Sequence, residues 1–116
     1  MTTRRTLSRH HLTTGLVAAT LLFAAALAQA TILVPMDLTQ GDHLKAYGVA
    51  YWALEKGYRV EWLLNYRNGS FHILDGDTDV ASECNFRGVS WEELGGGQMA
   101  DMYAEIEQGN MEVVLL

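Results

Sequence analysis

The chain has 116 residues, 49% of them hydrophobic, with eight basic and fourteen acidic side chains and a net charge of −6. All fourteen acids follow residue 30, against only Lys45, Lys56, Arg59, Arg67 and Arg87, so that part carries −9 and excludes nucleic acid and anionic lipid surfaces as partners. One cysteine, Cys84, excludes an internal disulfide and a thiolate metal cluster.

The first thirty residues read as a leader. Arg4, Arg5 and Arg9 give a basic start, and Leu12 to Leu27 is an uncharged apolar run diluted by Thr13, Thr14, Gly15 and Thr20. Ala28-Gln29-Ala30 then supplies the small–x–small pattern of a cleavage site. This predicts a signal peptide over residues 1–30, removed to leave Thr31 first, and a periplasmic or secreted product with no stable membrane association afterwards. An uncleaved anchor is the alternative, because the apolar run approaches spanning length. Thr3-Arg4-Arg5-Thr6-Leu7 partly matches a twin-arginine export signal, from which Ser8 and Arg9 depart, so both export routes stay open.

Thr31 to Met36 is apolar on both faces and predicts a strand of the kind buried inside a parallel sheet. Asp37 to Asp42 is a polar loop, with Asp42 placed to cap a helix over His43 to Lys56. Leu44, Tyr47, Tyr51 and Leu54 give that helix an apolar stripe, and Ala46, Gly48, Ala50 and Ala53 a small-residue flank. Trp52, Trp62 and Tyr47 read as core packing. Gly57 stands where a left-handed cap is wanted. Tyr58 to Leu64 predicts a second strand, completing a βαβ unit. Asn68-Gly69 signals a turn into a returning strand, Ser70 to Leu74.

Residues 75–87 carry few large apolar side chains and read as a loop. Ser90 and Glu93 have capping-box spacing, predicting a short helical turn that Gly95-Gly96-Gly97 breaks. Gln98 to Gln108 predicts a helix with Met99, Met102, Tyr103 and Ile106 on one face, and Met111 to Leu116 a last strand. The expectation is therefore an incomplete Rossmann-like or flavodoxin-like layered α/β domain with a mixed or parallel sheet. A buried terminal strand bearing a carboxylate is costly, so the chain reads as the N-terminal part of a domain over residues 31–116 that continues. The alternative is a complete small domain whose final strand lies at a sheet edge.

Ligands of open α/β sheets bind beyond the carboxyl ends of the strands, where helix N-termini offer free N–H groups. That singles out Met36 to His43. Asp37 and His43 are the candidate catalytic pair, because a histidine near its ordinary pKa suits proton transfer and an acid can orient it. Thr39, Gln40 and Asp42 are candidate ligand contacts in the same loop. Arg67 and Asn68 put a cation and an amide on a turn, which suits anion or sugar recognition. Plain capping by Asp42 and hairpin-turn chemistry at Asn68 explain the same residues without function.

No glycine-rich phosphate fingerprint is present, so no dinucleotide or Walker motif is read, and the cofactor stays open. Asp75, Asp77 and Asp79 alternate as in a calcium loop, but Val80 and Phe86 stand where glycine and glutamate belong, so no metal site is expected. Cys84 with His72 or His43 is a conceivable nucleophile pair, though no elbow motif surrounds the cysteine.

The stretches Ile32-Leu33-Val34-Pro35-Met36-Asp37, His43-Leu44-Lys45-Ala46-Tyr47-Gly48 and Glu61-Trp62-Leu63-Leu64-Asn65-Tyr66-Arg67 resemble the N-terminal part of exported bacterial proteins often labelled "asparagine synthetase B". The resemblance spans nearly all of residues 31–116 and implies a longer protein. It does not imply the activity in that label. A true asparagine synthetase B resembles an amidotransferase with a nucleophilic cysteine directly after the initiator methionine; here Thr2 follows Met1, and no catalytic residue of that enzyme maps onto this chain. Three functional readings follow: a hydrolase-like enzyme with the Asp37–His43 loop in its pocket, a non-catalytic domain binding a small molecule or glycan, or a fragment without autonomous function.

Overall fold

The computed structural model describes residues 30–116. The predicted leader therefore lies, apart from Ala30, outside the described residues. Among the described residues, no helix is long and apolar enough to cross a membrane.

In chain order the elements are β1 (Thr31–Val34), α1 (His43–Glu55), β2 (Val60–Leu64), a 3-10 turn (Tyr66–Asn68), β3 (Ser70–Ile73), α2 (Asp77–Arg87), β4 (Glu92–Leu94), α3 (Gly96–Gln108) and β5 (Glu112–Leu115). The strands form one sheet in the order β4-β1-β3-β2-β5, and every neighbouring pair is antiparallel. This overturns the expected parallel or mixed Rossmann-like or flavodoxin-like sheet. The hairpin is the reason. β3 folds back on β2 and fills the place beside β1, pairing Val34 with Phe71 on one side and Trp62 with Phe71 on the other. β1 and β2 still run the same way, each antiparallel to β3, but a strand separates them. β1, α1, β2, β3, α2 and β4 thus form a split β-α-β arrangement of the ferredoxin-like kind, to which α3 and β5 add an edge.

Alternation along the strands sends side chains to two faces. Ile32, Val34, Val60, Phe71 and Ile73 meet α1 and α2 on one face, while Leu33, Leu63 and Leu94 meet Met102 and Ile106 of α3 on the other. Helix α1 sits on the sheet through Ala46, Val49, Ala50 and Ala53, all buried. Its large apolar stripe points outward instead: Leu44 is 83% exposed and Tyr51 66%. Small residues let the helix axis approach the sheet, and burial of four compact side chains wins over burial of the bulky ones. Trp62 and Tyr47, expected in the core, are also substantially exposed, and both pack their rings on Phe71.

Three local expectations fail. Residues 77–87 are helical: Val80 and Cys84, four apart, anchor α2 in the core, Asp77 and Asp79 lie in its first turn, and Gly88 closes it at φ +71°. The segment near Ser90 becomes β4 rather than a helical turn, because the open edge of β1 supplies Thr31, Ile32 and Leu33 as ladder partners. The glycine run begins α3 instead of breaking a helix, with Gln98 closing back on the Gly95 amide at 2.9 Å.

Candidate functional site

Because β1 and β2 point the same way, the loop after β1 and the turn after β2 reach the same end of the sheet. The start of β4 reaches it too, since β4 runs against β1. Three segments so meet at one rim, and Arg67 joins them. Its Nε donates to Asp37 Oδ2 at 2.6 Å, one terminal nitrogen reaches Glu92 Oε2 at 2.8 Å, and the other donates to Thr39 Oγ1 at 3.1 Å. The guanidinium fork suits this work, since its donors are fixed in a plane. The clamp is half open: the Arg67, Asp37 and Glu92 side chains keep 25%, 27% and 45% of their exposure.

Backbone geometry aims the arginine. Asn65, Arg67 and Asn68 all lie at positive φ, at 64°, 44° and 64°, followed by Gly69 at 87°. Asparagine tolerates this region, whereas arginine does so only under constraint. Part of that constraint is Ser70: its buried hydroxyl donates to the Arg67 carbonyl and accepts from the Met36 amide, tying the turn to the β1 loop.

Electrostatics fix the protonation states. The Arg67 guanidinium beside Asp37, helped by the Thr39 hydroxyl, holds the Asp37 carboxyl far below the usual range. Arg67 is correspondingly pushed up by Asp37. Asp37 is therefore an ionised acceptor and a poor general base.

The other expected contacts divide. His43 does meet Asp37, but its Nε2 donates to the backbone carbonyl at 2.9 Å rather than to the carboxylate. Gln40 is buried, with its amide nitrogen donating to Pro35 and Ser90 carbonyls and its oxygen accepting from the Ser90 amide, so it pins the loop. Asp42 caps α1 by accepting from the Lys45 amide. Asn68 is exposed beside Arg67. Leu38, between Asp37 and Thr39, is 97% exposed. Glu92 was invisible as a member of this group, since it arrives on a strand that sequence patterning did not reveal.

The remaining candidates do not assemble. Cys84 belongs to the cluster under α1 and α2, whereas His72 faces α3 across the sheet, so the two form no pair. Burial pushes the Cys84 thiol up to about 11. Asp75 is engaged by Arg59 and Asp79 by the Tyr58 hydroxyl. No group of three potential metal ligands occurs among the described residues.

A second polar cluster, unforeseen in the sequence, lies under α3. The Thr31 hydroxyl is 2.6 Å from His72 Nε2, and His72 Nδ1 is 2.9 Å from Glu61 Oε2. Tyr103 donates to the same Glu61 oxygen at 2.6 Å. His72 is fully buried. Burial and the Glu61 carboxylate raise the Tyr103 phenol far above its ordinary range, which keeps it a donor. The signal for this cluster was the alternation Phe71-His72-Ile73, which puts His72 on the opposite face from two core residues.

Fold and rim together define a three-layer α/β domain with a split β-α-β unit and a charged clamp at one sheet end. The chain matches no family model, no curated protein and no solved structure.

Proposed function

We propose that this is an exported domain that binds a neutral, hydroxyl-rich small molecule of sugar type at the Asp37–Arg67–Glu92 clamp. The observation that carries the reading is Arg67 itself, held in left-handed backbone at φ 44° between two carboxylates from separate segments while remaining part exposed. Strained backbone of this kind costs on the order of 1–3 kcal/mol and concentrates at ligand sites. The charge balance selects the ligand. Two carboxylates face one guanidinium, which disfavours phosphate or carboxylate ligands. A cationic ligand would have to displace Arg67. A polyol does neither: its hydroxyls donate to free carboxylate lone pairs and accept from Arg67, and its C–H face suits the exposed Leu38.

Acid–base catalysis fits this rim less well. Asp37 is held ionised, and His43 leans on a carbonyl rather than a carboxylate. The test is calorimetric titration of the full chain with glucose, galactose and mannose, with inorganic phosphate and putrescine as charged controls. The reading expects saturable binding of at least one hexose, lost in Arg67→Met. Binding of phosphate or putrescine alone, or of nothing, contradicts it.

A further inference from the structure

The cluster under α3 stands at the opposite end of β1 from the rim and does not depend on the sugar reading. Its geometry points to a second function: we infer that Thr31 is a nucleophile activated by His72, serving acyl transfer from a small ester or amide. Three observations carry this. The first is the chain of contacts, nucleophile to base at 2.6 Å and base to orienting acid at 2.9 Å, which is the arrangement an activated hydroxyl requires. The second is the tautomer. Glu61 Oε2 and Tyr103 together surround Nδ1, and a carboxylate can only accept, so Nδ1 bears the proton. In the neutral ring Nε2 is then a free acceptor aimed at the Thr31 hydroxyl. The third is access. Thr31 retains 7% exposure and lines a cavity of about 360 Å³ with Arg59, Leu74, Asp75, Gly76 and Asp77, a size that takes a small molecule.

The chemistry balances with water as the only co-reactant. The Thr31 oxygen attacks the acyl carbonyl as His72 Nε2 takes its proton. Collapse of the tetrahedral adduct breaks the bond to the leaving alcohol or amine, which receives that proton. Water then attacks the acyl-threonine ester, with His72 again relaying the proton, and the carboxylic acid departs. Glu61 and Tyr103 touch no reacting atom; they are positioning residues. The other polar neighbour of the hydroxyl is Met99, whose sulfur at 3.2 Å is a weak acceptor and does not compete with the imidazole.

The test uses the full chain with p-nitrophenyl acetate, read by nitrophenolate release and by intact and peptide mass. The inference expects a hydroxylamine-labile acetyl group on Thr31, retained in Thr31→Ser and absent in Thr31→Val, with release slowed at least about 100-fold in Thr31→Val and in His72→Gln. Glu61→Gln should shift the pH profile of release while His72 and Thr31 are intact, a change that a merely structural acid would not cause. Thr31→Ser guards against misfolding, since it keeps the hydroxyl. Absence of adduct in the unsubstituted chain, or adduct at Cys84, a lysine or an amine that survives Thr31→Val, overturns the inference.

Discussion

Arg67 and Asp37 follow two strands that never touch, yet their side chains meet at 2.6 Å. β3 lies between those strands, and the guanidinium bridges the gap it makes. The arginine is thus both the strained residue of the turn and the tie across the sheet end.

The strain and the tie can be separated by substitution. Arg67→Ala keeps the backbone penalty and loses the ion pairs, whereas Arg67→Gly loses both. Urea denaturation should find Arg67→Gly more stable than Arg67→Ala by about 1 kcal/mol. Equal stabilities would show that the left-handed geometry is not imposed in solution.

Acid should weaken the fold through the same pair. Asp37 has a folded pKa far below its unfolded value, and Asp75, beside Arg59, is lowered to about 2. The unfolded chain then binds more protons than the folded one, so stability is fully present above the ordinary aspartate range and is lost as pH falls toward 2. Melting temperatures from pH 6 to pH 2 should fall mainly below about pH 4, near the unfolded aspartate value. Asp37→Asn should flatten the slope. An unchanged slope in that variant would contradict the assignment.

Helix α1 makes an opposite pair of predictions from adjacent residues. Ala50 is 4% exposed against the sheet, so Ala50→Leu should destabilise by about 1–3 kcal/mol through overpacking. Tyr51 is 66% exposed, so Tyr51→Ser should stay within about 0.5 kcal/mol. Chemical denaturation decides between this seating and one with the large residues inward, which would reverse the order.

That helix also shows what sequence alone carried. Its limits were legible because Asp42 caps one end and Gly57, at φ +82°, turns the other. Its buried face was not, since hydrophobicity favours the bulky stripe and only the sheet's proximity selects the small one. Strand pairing was equally hidden: period-two alternation assigns faces, not neighbours, and the return of β3 could not reveal that it would separate β1 from β2. α2 escaped notice because just Val80 and Cys84 are buried in it. At the rim, Asp37, Thr39 and Arg67 were singled out by loop position and the structure brings them together, while Glu92 came unannounced with β4. For the His72 cluster the alternation Phe71-His72-Ile73 marked only the face His72 takes; its partners Thr31 and Tyr103 had no local mark, lying 41 and 31 residues away in sequence.

Whether the clamp is a recognition surface is tested most directly by amide chemical-shift mapping of the full chain titrated with a neutral hexose. The expected result is a saturable set of shifts centred on Leu38, Thr39, Arg67, Asn68 and Glu92, absent in Arg67→Met. Shifts confined to other surfaces, or none at any concentration of glucose, galactose or mannose, would contradict the account.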